Sequence, residues 1–501
     1  MKSTHAVAFL CALYFLQPKA AIASDQISAL WGKSGECWNP ASRLPEFGTA
    51  GYKSGKEPIP EYPVLTTVKE YGARGDGVTD DTEAFRKALL SVKERGAVLI
   101  PAGRYVLTDV VELNRSGVVL RGEGPDKSVL VLPKPLSEIH PRANVDAVKS
   151  AYSFSGGFLS MKGTNAGVKL GDVLEPAKRG DTALTLVSTN LPKPGDRIRL
   201  LMQDPPDHSL LHHLHGDLLE PGTDTPNLKQ PVDWAATVTA VNGGRITLDH
   251  PLRVDVRTEW KPEVFLLSPT LRESGIENLG LEFPGVPKQP HLKEAGYNAI
   301  ELKGAVDCWI RNLTVTDADN GVIMGGSRFC TVDGFTTRAS KRSGLTGHHA
   351  MWATSRTQDS LFVRFKCDTT YVHDLTVEGF ANGNVFASGS GVAINCDHHR
   401  NAPYENLFTD FDAGDPRRLY ESSGREDRGP HSGARTTFWC IRGHGKFPPL
   451  PLDKDYPLIN VVGFGDYPTS TTPSGPWVEP GDGHLAPANL WEAQAQKRTG
   501  N

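Results

Sequence analysis

The chain has 501 residues, with 54 Lys and Arg against 58 Asp and Glu, and a formal net charge of −4. This near-neutral balance argues against a nucleic-acid partner. With 51 glycines, 37 prolines and 8% aromatic residues, the composition is typical of many short strands joined by turns and disfavours an architecture of long helices.

The first residues predict export. Lys2 precedes an apolar run at residues 6–16, and small residues follow up to Ala23. This is the pattern of a signal peptide, which we expect to comprise residues 1–23. The apolar run is far shorter than the roughly 20 residues that cross a bilayer, and no later run reaches that length. We therefore expect a secreted or periplasmic protein with no membrane partner.

The next two regions differ in regularity. Residues 24–62 show no hydrophobic period and are expected to form an irregular extension. In the region 63–165, Asp80 or Asp81 is a good N-cap for an amphipathic helix. The apolar face of that helix consists of Ala84, Phe85, Ala88, Leu89 and Val92. Short apolar strands closed by glycine turns follow the helix, so this region is expected to begin the main fold.

Three motifs in this region resemble the N-terminal signature of the pectate-lyase superfamily. They are GARGDGVTDDT at 72–82, VLIPAGRYVL at 98–107 and GVVLRGEG at 117–124. The resemblance implies an all-β fold, a right-handed parallel β-helix whose open end the helix would seal. It leaves the activity open, because the superfamily includes lyases, hydrolases, epimerases and non-catalytic fibres. We expect the Gly-Asp-Gly and Asp-Asp residues to serve turns and caps.

Strands of the same kind recur in the main body, residues 266–465. They lie at 274–283, 308–315, 329–336, 370–377 and 406–411. Cys308 and Cys330 are 22 residues apart, which is about one turn of such a solenoid. The period therefore supports a parallel β-helix independently of the N-terminal motifs.

The cysteines favour buried thiols over disulfides. Six of them follow the signal segment, at positions 37, 308, 330, 367, 396 and 440, and no two form a CxxC pair. The last five fall on predicted strands, where a free thiol behaves as a small apolar side chain. Export would still permit disulfides, so both states remain open.

Two regions interrupt or end the solenoid. Between residues 166 and 265, alternating runs are joined by turns, and Asn242-Gly243 between two such runs is a strong hairpin signal. We expect a small antiparallel β insertion there, carried on the side of the solenoid. The final segment, 466–501, is rich in Pro, Gly, Thr and Ser and is expected to be loop or a loosely packed tail.

Period-two alternation assigns an inward and an outward set to the two strands near the middle of the main body. The expected inward residues are Leu361, Val363, Phe365 and Cys367, followed by Val392, Ile394 and Cys396. The expected outward residues are Phe362, Arg364 and Lys366, followed by Asn395, Asp397 and His399. Outward His, Arg and Lys are dense here, which indicates a functional cluster on the solenoid wall.

Two reactions suit such a cluster. In β-elimination on a uronate polymer, cations neutralise the C6 carboxylate and a base removes the C5 proton. The catalytic candidates are Lys366, His349, His398, Arg400 and Asp397, and the substrate-binding candidates are His348, Arg364, His399, Asp410, Asp412, His431 and Arg435. Glycoside hydrolysis needs two carboxylates instead. For that reaction the candidates are Asp397, Asp410, Asp412 and Asp415.

A second histidine group lies in the insertion, at His208, His212, His213 and His215. If helical, its i, i+4 pair could hold a metal ion. The surrounding Pro205, Pro206 and Gly216 favour a flexible loop over the groove, which would act as a lid or touch the substrate.

These observations give three hypotheses for the function. The first is a secreted lyase acting on an acidic polysaccharide, the second is a glycoside hydrolase, and the third is a non-catalytic carbohydrate-binding or structural protein. The sequence matches the polygalacturonase motifs only in part, at Arg442-Gly-His-Gly445. We expect a monomer with no metal-ligand set and no required cofactor, with Ca²⁺ an open option.

Overall fold

The computed structural model of the chain describes most of the residues beyond the predicted signal peptide. The described residues are 26–146, 149–188, 190–218, 222–225 and 230–500. The predicted signal peptide at 1–23 lies outside them. Within these ranges, no helix is both long and apolar enough to cross a membrane.

The main body is a right-handed parallel β-helix, as predicted, built from two large sheets. Sheet A has 18 strands, all paired in parallel except Ser470–Thr471. Its strands are Val64–Thr67, Asp76–Asp80, Gly96–Ile100, Gly103–Val106, Val118–Gly122, Ser128–Val131, Gly275–Glu282, Trp309–Thr316, Thr331–Arg338, Leu361–Val363, Lys366–Cys367, Val385–Ala387, Ser390–Gly391, Leu407–Thr409, Thr437–Trp439, Asn460–Val462, Ser470–Thr471 and Trp477–Glu479.

Sheet B is the second wall of the coil and has seven parallel strands. They are Val111–Glu112, Leu159–Lys162, Asn298–Lys303, Asn320–Gly325, Leu345–Thr354, Thr370–Val377 and Cys396–His398. Two minor pairs join Asn165–Ala166 to Ser268–Pro269 and Phe464–Gly465 to Gly481–Asp482. The α-helices are Thr82–Ser91, Leu136–Ile139, Ser209–Leu214 and Leu490–Thr499, and the 3-10 helices are Tyr52–Gly55, Val68–Tyr71, Ala151–Ser153, Thr258–Trp260, Pro416–Arg418 and Glu426–Arg428.

Consecutive turns of the coil keep a fixed register. Trp309 pairs with Thr331, which confirms the turn of 22 residues inferred from Cys308 and Cys330. Three long strands of sheet A bend at one left-handed residue each, Asn278, Asn312 and Gly334, with φ of 56°, 54° and 67°. Asn and Gly are the residues that adopt this conformation most readily, so the bend recurs at the same place in each turn.

In the interior of the coil, identical side chains from successive turns stack on one another. Phe362, Phe386, Phe408 and Phe438 form one stack, with successive ring centroids 4.5, 5.1 and 5.2 Å apart. Every cysteine of the described residues is a free thiol, five of them are buried, and Cys37 is exposed. The prediction of buried thiols is confirmed for those five.

The predicted helix forms at Thr82–Ser91 and buries the predicted apolar face against the first turn of the coil. The Phe85 and Tyr105 rings meet edge to face, with centroids 5.5 Å apart. Asp80 Oδ1 accepts a hydrogen bond from the Thr82 backbone N–H at 3.0 Å, and Asp81 accepts from the backbone of Arg74 and Gly75. Asp81 is the N-cap residue, as predicted, but its side chain fixes the preceding turn and makes no capping hydrogen bond, while Asp80 binds the first N–H group of the helix.

The predicted antiparallel insertion is a closed six-stranded barrel. Its strands are Lys169–Val173, Ala183–Val187, Arg197–Met202, Val232–Asn242, Arg245–Leu248 and Glu263–Leu266. The Asn242-Gly243 hairpin forms, with Asn242 opposite Arg245 and Gly243 at φ 55°. Asp233 ties the barrel to the coil, since its carboxylate lies 2.6 Å from Arg328 and 2.7 Å from Arg199.

The C-terminal segment differs from the predicted loose tail, because Leu490–Thr499 is a helix. Asn489 caps it by accepting from the Glu492 backbone N–H at 3.1 Å. Gln494 is buried and hydrogen bonds to Pro45 and Phe47 of the N-terminal extension. The helix packs against residues about 450 positions earlier in the chain, a contact that its own composition does not signal.

The strict alternation predicted for residues 361–367 is wrong at its midpoint. Arg364 is left-handed, with φ 53°, and this turn resets the phase of the strand. As a result Phe362 points into the coil, whereas Leu361 and Val363 pack under the two terminal segments. Val392, predicted to point inward, is 51% exposed.

Replacing Phe386 with alanine tests the ring stack. We expect Phe386→Ala to lower the free energy of unfolding by about 3–5 kcal/mol, because it removes the middle of the stack and leaves a cavity. Urea unfolding measures the change. Leu452→Ala at a 63% exposed position is the control, and an equal effect of both substitutions would contradict the prediction.

The Asp233 ion pairs predict a pH dependence. Burial alone would raise the pKa of Asp233. Arg328 and Arg199 outweigh this effect and lower the pKa from its usual 3.8 to about 2. The stabilisation is therefore fully present above about pH 4 and is lost as the pH falls through about 2. We expect Asp233→Asn to cost about 3–5 kcal/mol at neutral pH, and the difference from the wild type to shrink below pH 4.

Urea midpoints at several pH values measure this difference. Asp172→Asn is the matched control, because its side chain is 64% exposed on the same barrel and pairs only at the surface with Lys169. We expect that control to change stability by less than about 1 kcal/mol. A difference between wild type and Asp233→Asn that stays constant down to pH 2 would refute the argument.

Candidate active site

The structure gathers part of the predicted site on sheet B. His348 and His349 lie on strand Leu345–Thr354, and Asp397 lies on Cys396–His398. Strand Thr370–Val377 runs between them, with His373 paired to His349 and Thr376 paired to Asp397. His399 follows at the end of the last strand. The predicted residues His348, His349, Asp397 and His399 are thus brought together.

The five rings of the histidine cluster are those of His291, His348, His349, His373 and His399. Their centroids are 4.8 Å apart for His291 and His348, 4.2 Å for His348 and His349, 4.7 Å for His349 and His373, and 5.0 Å for His373 and His399. His291 comes from the segment between Glu282 and Asn298, which crosses over the sheet. The rings form one continuous group in which His348, His349 and His373 are buried.

Asparagine side chains of the preceding turns hold the backbone at His349. Asn320 Oδ1 accepts from the His349 backbone N–H at 3.1 Å, and Asn320 itself donates to Asn298 one turn earlier. The His349 ring stacks on Trp352 with a centroid distance of 4.2 Å, and its Nδ1 is 3.0 Å from Thr376 Oγ1. The asparagine ladder of the coil therefore sets the position of His349.

Asp397 is the centre of the second half of the cluster. Its Oδ2 lies 3.1 Å from His373 Nδ1 and 2.9 Å from His399 Nδ1. Its Oδ1 accepts from the Ser423 backbone N–H at 3.0 Å. One fully buried carboxylate therefore orients two imidazoles and anchors the loop that follows residue 421.

Burial keeps three of the rings neutral. Burial and the neighbouring histidines lower the pKa of His348 and of His349 well below the usual range. Burial also lowers the pKa of His373 to about 4, although Asp397 opposes the shift. At neutral pH these imidazoles have lone pairs available.

Asp397 and His399 form the charged pair of the cluster. Burial disfavours the imidazolium of His399, but Asp397 beside it raises the pKa of His399 above its usual value. Burial likewise disfavours the Asp397 carboxylate, but His373 and His399 hold its pKa well below the usual range. The pair can therefore hold a proton next to three neutral rings.

A cleft of about 260 Å³ lies where two strands of sheet B end. Thr354 closes one strand, Glu378 follows the next, and Arg428 comes from the loop over the sheet. Arg356 also lines the cleft. Glu378 accepts from Arg428 at 2.8 Å, and burial raises the pKa of Glu378 although His399 and Arg428 oppose this. Two guanidinium groups and a buried carboxyl thus meet beside His399.

Four other predicted residues lie on or beside sheet A, away from the histidine cluster. Arg364 pairs with Asp333, and Lys366 lies 2.9 Å from Asp368. Asp410 lies 2.8 Å from Arg442, and Asp412 lies 3.3 Å from His444. Asp415, a hydrolase candidate, caps a 3-10 helix through the Arg417 backbone. Each of these charges has a local structural partner.

His398, a predicted catalytic residue, points into the coil. Its ring is fully buried between Phe408, Phe438 and Tyr456, and its Nδ1 lies 3.0 Å from the Cys396 carbonyl oxygen. His398 lies two residues after the inward-pointing Cys396 on the same strand, so the alternation of side chains also directs His398 inward. We therefore leave His398 out of the site.

The remaining predicted residues hold the loop over sheet B. Arg400 Nε donates to the Gly424 carbonyl at 3.1 Å, and His431 Nδ1 lies 3.2 Å from the His398 carbonyl. Arg435 is largely buried 3.9 Å from Glu405, and burial next to Arg179 lowers its pKa to about 10. These contacts support the loop that carries Arg428.

His212 and His213 of the insertion lie on a short helix that His208 and His215 flank, which corrects the predicted flexible loop. His208 precedes helix Ser209–Leu214 and its Nδ1 lies 2.7 Å from Asp204. His212 and His213 contact Thr223 and Asp217, and the His215 Nδ1 bonds to the Leu211 carbonyl. The leucines of the helix fill the barrel core, so its packing follows from apolar burial.

Sequence reasoning missed His291, His373, Arg356 and Glu378. His373 lies in a strand that was predicted, and alternation from Tyr371 would have sent it inward with Leu375. His291 lies in a Pro- and Lys-rich segment without a period. Arg356 and Glu378 stand directly after strands of sheet B, and only the parallel register shows that they meet.

Comparison with known proteins gives a family match at the N-terminus. Residues 65–136 match the model of the family described as rhamnogalacturonase A/epimerase, pectate lyase-like. A glucan 1,3-beta-glucosidase of Cochliobolus carbonum is 38% identical over 60 residues, which are 10% of this chain and 8% of the relative. A preneck appendage protein of Bacillus phage PZA is 43% identical over 65 residues, 13% of this chain and 7% of the relative. The chain thus aligns with only a small part of these relatives.

Three solved structures that are similar to this chain have sequence identities of only 10–12%. The tailspike protein gp49 of Pseudomonas phage LKA1 is 12% identical, with 80% of this chain and 75% of that chain covered and a TM-score of 0.38. An iota-carrageenase complexed to iota-carrageenan fragments is 10% identical, with coverage of 78% and 59% and a TM-score of 0.31. The A-module of the Azotobacter vinelandii mannuronan C-5 epimerase AlgE4 is 10% identical, with coverage of 79% and 88% and a TM-score of 0.29.

The family match covers the region that carries the three N-terminal motifs, and the strands beyond it repeat in parallel register to the end of the coil. The resemblance seen in the sequence is thereby confirmed. The N-terminal part of the chain is similar to this pectate-lyase-like family, and the chain has the right-handed parallel β-helix fold.

Proposed function

We propose that this protein is a carbohydrate-active enzyme, and that it is a lyase which cleaves a uronate-containing polysaccharide by β-elimination. The observation that carries the proposal is the cleft at the end of sheet B, where Arg356, Arg428 and Glu378 meet next to His399. The carboxylate groups of an acidic polysaccharide would bind the two guanidinium groups, which recognise carboxylates through charge-assisted hydrogen bonds.

Neutralisation of the uronate C6 carboxylate is the first requirement of the reaction, because it makes the C5 proton acidic. Arg428 lines the cleft with its side chain 37% exposed, and Arg356, two residues after strand Leu345–Thr354, lines it as well. A Lys or Arg pair at this position supplies positive charge without a proton transfer of its own. The two arginines are therefore assigned to the substrate carboxylate.

A base and an acid complete the step. Glu378, whose pKa burial raises, takes the C5 proton, and the C4–O bond breaks as the C4–C5 double bond forms. The leaving glycosidic oxygen takes a proton from His399, whose pKa the neighbouring Asp397 raises. The products are a new reducing end and a chain end with an unsaturated uronate.

The names of the matched proteins support carbohydrate as the substrate class. The family description names rhamnogalacturonase A and an epimerase, and the fungal relative is named a glucan 1,3-beta-glucosidase. The lateral face of a parallel coil also lets several sugar units lie across successive turns. Export of the protein, predicted from residues 1–23, would bring it to such a polymer.

Alanine at Arg428 tests the assigned site. We expect Arg428→Ala to lower the rate of cleavage of an acidic polysaccharide by about 100-fold, because the charge that neutralises the substrate carboxylate is lost. The ultraviolet absorbance of the unsaturated product and the number of new reducing ends are measured on the same samples. Both signals should rise together with the wild-type protein.

Arg425→Ala is the matched control, since Arg425 belongs to the same loop, its side chain is 62% exposed and it pairs locally with Asp427. Its activity should equal that of the wild type. Loss of activity in Arg364→Ala but not in Arg428→Ala would move the site to sheet A. Reducing ends without absorbance would overturn the lyase in favour of a hydrolase, and binding without either signal would indicate a non-catalytic carbohydrate-binding protein.

A further inference from the structure

The histidine cluster contains buried ring nitrogens that make no hydrogen bond within the protein. His348 Nδ1 and both ring nitrogens of His373 are buried and make no hydrogen bond, although His373 Nδ1 lies in ion-pair range of Asp397. The exposed fractions of His348 and His373 are 1% and 3%. Unpaired buried polar atoms are uncommon in folded proteins, because each loses its bonds to water. Buried neutral imidazoles of this kind have lone pairs that can bind a metal ion.

The nitrogens face each other at the spacing that a metal ion imposes. His291 Nε2 and His348 Nε2 are 3.1 Å apart. Two nitrogens bound to one ion at about 2.1 Å lie roughly 3.0–3.4 Å apart. His291, His348 and His373 each offer a ligand atom, and all three atoms lie within 4.8 Å of one another.

Two carboxylates stand behind these rings. Asp397 Oδ2 lies 3.1 Å from His373 Nδ1, and Glu294 Oε2 lies 3.6 Å from His348 Nδ1. Both carboxylates belong to buried residues. A carboxylate beside Nδ1 that leaves Nε2 as the ligand atom is the usual outer arrangement of metal-binding histidines, and Asp397 stands in this position for His373.

We infer that the histidine cluster binds a divalent transition-metal ion, with Zn²⁺ or Co²⁺ as suitable probes, through the Nε2 atoms of His291, His348 and His373. Imidazole nitrogens suit Zn²⁺ and its first-row neighbours, whereas Ca²⁺ and Mg²⁺ prefer oxygen ligands. Three protein ligands leave a coordination position for water or substrate. The inference concerns the ion itself and holds whether or not the proposed lyase reaction occurs.

A second arrangement, with His373, Asp397 and His399 as ligands, is also compact. In that arrangement Asp397 would be a ligand rather than an outer partner. Asp397 Oδ2 already accepts a hydrogen bond from His399 Nδ1 at 2.9 Å, and Asp397 Oδ1 accepts from the Ser423 backbone. These bonds occupy the carboxylate, whereas the arrangement with three histidines uses His373 Nε2, which has no partner, together with the facing Nε2 atoms of His291 and His348.

Metal titration of the full chain tests the inference. The protein is purified without a polyhistidine tag, treated with a chelator and titrated with ZnCl₂ by calorimetry, and CoCl₂ is followed by its visible absorption. We expect about one ion per chain and the intense cobalt bands of a low-coordinate nitrogen site. His348→Gln and His373→Gln should each weaken zinc binding by more than about 100-fold.

His349→Gln is the matched control, because His349 is the adjacent buried ring on the same strand and stays outside the ligand set. It should bind zinc like the wild type, and so should His399→Gln. Loss of binding in His399→Gln with binding retained in His291→Gln would overturn the ligand assignment. A wild-type protein without stoichiometric zinc and without cobalt bands would overturn the site, a result that does not depend on the folding of any variant.

Discussion

Hydrogen bonding between a strand and the strands one turn before and one turn after it is the constraint on which the structure depends. Each strand of the coil finds its backbone partners only in those neighbours, as Trp309 does in Gly275 and Thr331. A change of register in one turn would displace the side chains of every later turn. The stacks of Phe rings and the ladder from Asn298 to Asn320 follow from this fixed repetition.

The outer faces of the coil are covered unequally, and this leaves room for the site. The terminal segments bury Leu361, Val363 and other outward apolar residues of sheet A in a second core. The barrel docks at a corner, where the Gln358 side chain makes two hydrogen bonds to the backbone of Ala235 and Asp233 pairs with Arg328. Sheet B instead presents polar and aromatic side chains to a loop, and the histidine cluster lies there.

Charge inside the cluster depends on burial more than on any single contact. Removal of water keeps His348, His349 and His373 neutral, and Asp397 concentrates the remaining charge on His399. Neutral imidazoles are metal ligands, and a protonated imidazole beside a carboxyl such as Glu378 is an acid–base pair. The metal site and the cleft with Arg356 and Arg428 are therefore two parts of one region of sheet B.

The sequence by itself determined the parallel β-helix, the capping helix at Thr82–Ser91 and the antiparallel insertion, because each rests on local periods and turn residues that act over short distances. It also identified His348, His349, Asp397 and His399 as a group, since paired histidines on predicted strands are visible in the chain. Only the fold showed that Arg364 resets the strand and that His291, His373 and Glu378 join the site. Those outcomes depend on the register between turns and on the segment between Glu282 and Asn298 that crosses over sheet B. The local pattern of a single strand indicates neither of these.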